Sequence, residues 1–348
     1  MSAQTPVSRR VPTSSRSKLL AAGVLPLTLL IGSLAGCADA PTPAASGTTS
    51  SGASASSDTE LAKVTVTPGK DAKTAPTITL PTKPFRVKET KSRILKAGTG
   101  APITDPGIVT ANWARFSGVD GSTMGSSYGG QPAAVQIAKD SATVPGFVDA
   151  LKDQKVGVQA LLAIPANKIL NESQLTQGMT LDDTVLFVLD TLSVQPLLDK
   201  ATGTAVPPKA GLPTVQVPDD PKQPAKFTVP SPTPVKETVV QPLITGAGPK
   251  VGKGQTILVR YTGATWRTPD QPFDYSGKSA KTTAEFPIGA GQLIKAWDNN
   301  IPGQTVGSRL LIIAQPADGY GANGNPDAQI KGDDVLIFVM DILGAWTP

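Results

Sequence analysis

The 348-residue sequence has no histidine and a single cysteine, Cys37. Without an imidazole it lacks the usual acid–base group for neutral pH. Ser-His-Asp and Cys-His catalysis and imidazole-based metal sites are excluded as well. One cysteine cannot form an intramolecular disulfide. The one early apolar run, residues 19–34, is short and is broken by Gly23, Pro26 and Gly32, which is too little for a membrane span. A strong mature charge is also missing. Residues 1–36 hold Arg9, Arg10, Arg16 and Lys18 and no acid, and removing those four from the 32 basic residues leaves 28 against 27 acidic ones. A near-neutral chain gives no electrostatic reason to expect a nucleic-acid partner. What is abundant is glycine (34) and proline (33), which points to loops, linkers and β structure. The length allows two ordinary domains.

The basic stretch followed by the apolar run reads as an export signal over residues 1–36. It ends in Leu34-Ala35-Gly36-Cys37, which looks like a bacterial lipoprotein box. In such a box the Cys37 thiol receives a lipid group and becomes the new N-terminus. The expected location is therefore the extracytoplasmic face of a bacterial cell membrane, with the membrane as a partner through the lipid anchor. Residues 37–76 are rich in Ala, Ser, Thr, Pro and Gly and are expected to be a flexible tether.

Beyond the tether the chain repeats itself. Val87-Lys88-Glu89-Thr90 recurs as Val235-Lys236-Glu237-Thr238, and Gly98-Thr99-Gly100 as Gly246-Ala247-Gly248. Val156-Gly157 recurs as Val306-Gly307, and Phe187-Val188-Leu189-Asp190 as Phe338-Val339-Met340-Asp341. The offset drifts from 148 to 151, as small loop changes between duplicated domains would produce. This places domain one at 77–195, a proline-stiffened linker at 196–225, and domain two at 226–348. Ile257, Val259 and Tyr261 alternate with Leu258 and Arg260 in a strand pattern, and Val335–Leu343 reads as a central strand covered on both faces. A short helix is expected between Gly291 and Pro302, with Leu293, Ile294 and Trp297 on one face. An antiparallel sheet wrapped on one short helix is an α+β arrangement.

The ordered set in domain two carries a resemblance. It runs from Ile257-Leu258-Val259-Arg260-Tyr261 through Phe273-Asp274 and Phe286-Pro287-Ile288-Gly289 to Leu293-Ile294-Lys295-Ala296-Trp297. It continues with Val306-Gly307-Ser308-Arg309, Tyr320-Gly321 and Val335–Leu343. Over about ninety residues this resembles the FK506-binding class of peptidyl-prolyl cis/trans isomerases. The resemblance implies two domains, each an antiparallel sheet around one short helix, with an apolar active-site cup in the second. Tyr261, Phe273, Leu293, Trp297, Ile330 and Phe338 are then expected to bind substrate, with Trp297 as the floor. Ile294 (through its N–H), Tyr320 (through its hydroxyl) and Asp274 are expected to be catalytic. No cofactor or metal is implied. The implied partners are proline-containing exported polypeptides, and macrolides of the FK506 type are candidate ligands. Each of these residues also has a plain reading as core or turn, so the functional reading rests on the whole set recurring in order.

Two positions depart from the family pattern: Ala284 stands where an aromatic is usual, and Asn325 where an imidazole often sits. Both are expected to loosen the rim. In domain one, Trp113, Val144, Phe147, Met179 and Phe187 keep the apolar scaffold. There Met124-Gly125 falls near the position of Phe273-Asp274, and Ile169 opposite Tyr320, so little or no activity is expected. The loop from Ser117 to Gly130 is expected to be mobile. A non-catalytic peptide-binding chaperone or scaffold of the cell envelope is the alternative to an isomerase that assists exported proteins.

Overall fold

The computed structural model describes residues 59–138, 144–176 and 178–347. The export signal, Cys37 and the tether up to residue 58 lie outside the described residues.

Each half of the described chain is built on one antiparallel sheet and one short helix. The N-terminal sheet runs in the order Lys91–Lys96, Gln159–Pro165, Thr184–Pro196, Gly107–Ser117, Thr123–Ser126, and Ala133–Ile137 also pairs with Gly107–Ser117. Its helix is Phe147–Leu151. The C-terminal sheet runs Asp274–Tyr275, Thr256–Thr265, Leu336–Trp346, Arg309–Ala314, Val239–Gly246, Gly203–Ala205, and Ala284–Pro287 also pairs with Thr256–Thr265. Its helix is Lys295–Asp298. The fold is thus the expected α+β pair. The two registers match: Phe338 pairs with Ile312 as Phe187 pairs with Leu162, and Asp341 pairs with Arg309 as Asp190 pairs with Gln159.

The strand Leu336–Trp346 shows why its sequence is nearly continuously apolar. Leu336, Phe338, Met340 and Ile342 face a core that holds Trp297 and Ala296 of the helix. Ile337 and Val339 face the opposite side, against Phe227 and Trp266. Alternate residues therefore enter two different cores, so neither face can be polar.

That second core takes in residues from both expected connecting segments. Residues 59–76, expected to belong to the tether, include the helix Thr59–Ala62 and the strand Thr65–Thr67, which pairs with Thr77–Thr79. Leu61 and Val64 are only 1% exposed. The expected linker 196–225 is likewise part of a fold. Thr214–Gln216 pairs with Lys226–Thr228 in a second hairpin, and Gly203–Ala205 is a strand of the C-terminal sheet. Buried apolar anchors lie on the outer face of each sheet, Leu61 and Val64 from the helix and the link to the first hairpin in one half, and Phe227 of the second hairpin in the other. Burial of these few side chains, each contributing about 1.5–3 kcal/mol, orders segments whose composition is otherwise loop-like. The Ser117–Gly130 segment also contains a strand, Thr123–Ser126, paired with Ala114–Phe116.

Candidate active site

The concave face of the C-terminal sheet gathers the predicted aromatics around Trp297. This indole is 5% exposed. Its ring lies 5.5 Å from Tyr261, 5.3 Å from Phe286 and 5.2 Å from Phe338, each edge to face. Phe273 meets Phe338 at 5.7 Å, also edge to face. Such contacts add roughly 0.5–1.5 kcal/mol per pair beyond burial and fix the ring orientations. The Trp297 indole N–H has no hydrogen-bond partner among the described residues.

The strand Thr256–Thr265 explains how the rings converge. Val259, Tyr261 and Gly263 pair with Ile342, Met340 and Phe338, so all of them project to the concave side. Gly263 is needed there: a Cβ would lie 2.7 Å from the Phe338 ring and 2.8 Å from the Phe273 ring. Asp274 pairs with Gly263 from the neighbouring strand. It accepts a hydrogen bond from the Tyr261 hydroxyl and lies 3.6 Å from the Lys278 ammonium. Burial, then the bond to Asp274, pushes the Tyr261 hydroxyl well above its ordinary pKa, so it stays a donor.

The helix begins two residues later than its predicted face requires. Ile294 is its N-cap and Leu293 precedes it, so Leu293 borders the core from the loop and not from the helix. Trp297 and Asp298 donate to the Ile294 carbonyl. Among the described residues the Ile294 N–H itself has no intramolecular acceptor. The loop before it is held by Asp298, a residue that no sequence motif marks out. Its buried carboxylate accepts from the Gly289 N–H at 2.7 Å and the Leu293 N–H at 3.4 Å. Asp298 is a positioning residue for Leu293 and Ile294.

Tyr320 stands on the rim, 41% exposed. Partial burial raises its hydroxyl pKa, a hydrogen bond from Asn325 opposes this, and the charge of Asp274 adds to the rise. Asn325 is also tied by its backbone to Ile330, with N–H to carbonyl bonds of 2.8 Å and 2.9 Å in both directions. These backbone bonds tie this part of the rim to the buried Ile330. Ile330 is 3% exposed and belongs to the same core as Trp297 and Phe338. Phe286 stands out in the sequence only as part of a motif, yet it touches both Tyr261 and Trp297. Ala284, two residues earlier on the same strand, borders the core with only a methyl group.

The equivalent face of the N-terminal sheet keeps Phe147 against Phe187 at 5.3 Å. Strand pairing puts Gly125 opposite Arg115, where the C-terminal sheet has Asp274 opposite Gly263. The carboxylate has no counterpart at that register.

Edge-to-face rings thus cluster on a sheet wrapped around one short helix, with the Tyr320 hydroxyl and the Ile294 N–H beside them. Residues 248–343 match the FKBP-type peptidyl-prolyl cis-trans isomerase family. An FK506-binding protein of Streptomyces anulatus is 34% identical over 110 residues, covering 32% of this chain and 87% of the relative. FK506-binding protein 1A of Aspergillus fumigatus is 35% identical over 92 residues, covering 26% and 79%. A peptidyl-prolyl cis-trans isomerase of Vicia faba is 32% identical over 101 residues, covering 29% and 90%. The chain belongs to the FKBP-type peptidyl-prolyl cis-trans isomerase family, through its C-terminal domain.

Proposed function

We propose that the C-terminal cup isomerises X–Pro bonds by excluding water from the proline and stabilising the twisted amide. The observation that carries this reading is the convergence of the Trp297-centred rings with the Tyr320 hydroxyl and the unpaired Ile294 N–H. Rotation breaks amide resonance, against a barrier of about 18–20 kcal/mol. The planar amide is the more polar form, so an apolar cup disfavours it relative to the twisted one. The Ile294 N–H or the Tyr320 hydroxyl would donate to a substrate carbonyl and hold the peptide in place while the amide rotates. Asp274, held by Tyr261, would fix the wall and present a carboxylate at its edge. A thousandfold acceleration needs roughly 4 kcal/mol of such differential binding. The N-terminal domain, without a counterpart of Asp274, would be catalytically poor. The family supports FK506-type macrolides as candidate ligands of the same cup. We propose further that the chain is anchored through Cys37 at the outer face of a bacterial membrane and acts on exported proline-containing polypeptides.

The test is cis–trans relaxation of a short X–Pro peptide by the full mature chain. Asp274→Ala and Tyr320→Phe should each lower kcat/KM by at least about tenfold, on the order of 1.4 kcal/mol. A folded wild-type chain without acceleration would leave only peptide binding. Equal rates in all three proteins would remove these side chains from the mechanism.

The pH profile gives a second check. The chain has no histidine, and both cup tyrosines are pushed up from the ordinary value of 10.0. The rate should therefore be flat between about pH 6 and pH 9. A bell-shaped profile in that range would contradict hydrogen-bonding roles for Tyr261 and Tyr320.

A further inference from the structure

The C-terminal sheet carries an edge strand that has no counterpart in the N-terminal sheet among the described residues. Gly203–Ala205 pairs antiparallel with Ile244–Gly246. The flanks are held too. Leu198 N–H donates to the Leu343 carbonyl at 3.0 Å, Thr202 N–H to Gly307 at 2.9 Å, and Val206 N–H to Leu243 at 2.9 Å. Ala201 N–H donates to the Asp341 carboxylate at 3.1 Å.

Every one of these acceptors has a counterpart in the N-terminal sheet. Leu343 and Leu192 are both the extra residue of a bulge against the neighbouring strand, between Gly344 and Ile342 in one sheet and between Ser193 and Thr191 in the other. Asp190 pairs with Gln159 as Asp341 pairs with Arg309. Gly157 N–H donates to the Thr191 carbonyl as Gly307 donates to Ile342, with φ of 88° and 93°. Leu95 lies inside the register shift between Ile94 and Lys96, as Leu243 lies between Pro242 and Ile244.

The two edges differ in what covers them. Leu343 is 0% exposed and shares a core cluster with Leu197. Leu192 is 46% exposed, and Ile94, on the bare edge strand, is 39% exposed. Among the described residues only one other large hydrophobic is so exposed, Tyr320 of the active site. The Asp190 carboxylate accepts no hydrogen bond among the described residues, and burial raises its pKa while Lys96 opposes the rise. Lys91–Lys96 is the last strand of its sheet, with no strand beyond it among the described residues.

We infer that this edge is a docking groove for one extended segment of an unfolded client polypeptide. The segment would add an antiparallel strand along Leu95–Gly98 and seat a leucine on Leu192. The C-terminal sheet holds such a segment already, Leu197-Leu198, then Asp199-Lys200, then small residues from Ala201 to Ala205, and this defines the chemistry that the groove accepts. Backbone hydrogen bonds would supply affinity and the leucine contact selectivity. The strand Lys91–Lys96 carries no leucine pair, so a second copy pairing edge to edge does not match the segment that the C-terminal sheet holds. The groove lies outside the isomerase cup, so the inference stands apart from the catalytic reading.

The experiment titrates the full mature chain with a fluorescent peptide of the sequence of residues 197–206 and follows amide hydrogen exchange. Saturable binding is expected, with slowed exchange at Lys96, Ala97 and Gly98. Leu192→Asp should weaken binding at least tenfold and leave X–Pro isomerisation within twofold. Ala97→Pro, which removes an edge N–H, should weaken binding similarly and serves where Leu192→Asp does not fold. Absent saturation, or affinity indifferent to both variants, would overturn the proposal. So would full protection of Lys96–Gly98 in the peptide-free chain, since the edge would then be filled by the protein's own upstream residues.

Discussion

Gly263→Ala should lower kcat/KM for X–Pro isomerisation at least tenfold and destabilise the C-terminal domain by about 2 kcal/mol. The added methyl would sit 2.7 Å from a Phe338 ring carbon and 2.8–2.9 Å from two carbons of Phe273. Neither ring can swing away freely. Phe338 is 3% exposed and packed against Trp297 at 5.2 Å. Phe273 is tied back by its N–H, which donates to the Gly263 carbonyl at 3.0 Å. Relief must come from displacing both rings, and these are the walls of the cup. Gly252→Ala is the control, because its Cβ would meet only the Gln255 side chain at an ordinary 3.4 Å. Urea unfolding and peptide kinetics on both variants decide the matter. If Gly263→Ala matches the control in rate and midpoint, the cup is looser than these distances describe.

The rings of the cup could be read from the sequence because the constraints on them are local and ordered. Tyr261 and Gly263 alternate on one strand, Phe273 and Asp274 follow a turn, and Trp297 sits three residues past Ile294. The two-core central strand was equally legible, since a run as apolar as Val335–Leu343 has to be covered on both sides. The outer hairpins were not. Each strand is three residues long and offers one anchor, such as Val66 between Thr65 and Thr67, so no period develops above the Pro, Gly and Thr background. What orders them is a long-range contact, Phe227 or Leu61 against the back of a sheet, and composition does not report it. Asp298 was hidden for a similar reason. Its acceptor role depends on Gly289 curling back at φ 72°, which brings an N–H nine residues earlier to within 2.7 Å. Ile294 showed the reverse: the periodicity placed it on a helix, whereas the structure makes it the cap, and this leaves its N–H unpaired.

Asp341→Ala should cost the C-terminal domain about 3 kcal/mol, and Asp190→Asn at the equivalent position should stabilise the N-terminal domain. Asp341 has a side chain that is 4% exposed and binds Arg309 at 2.6 Å and 2.8 Å. It also accepts from Ala201 N–H, so its removal leaves a mostly buried guanidinium and a strand amide without partners. At about 2–4 °C per kcal/mol, the expected fall in Tm is on the order of 10 °C. Hydrogen exchange should at the same time release Ala201 and Thr202. Asp190 pairs across the strands with Gln159 instead of an arginine. Burial raises its carboxyl above the ordinary 3.8, so between that value and the raised one the folded state binds more protons than the unfolded state. Stability of the N-terminal domain therefore falls as pH rises through that window, and the uncharged amide removes the fall. Exchange-monitored denaturation at about pH 4 and pH 7 measures both effects. A mild Asp341→Ala, or an Asp190→Asn that destabilises at pH 7, would mean that the two carboxylates are not held as the strand pairing places them. The contrast follows from one change between the repeats: where a strand and an arginine arrive together, the buried charge is structural, and where neither does among the described residues, the half-buried Asp190 carboxylate accepts no hydrogen bond.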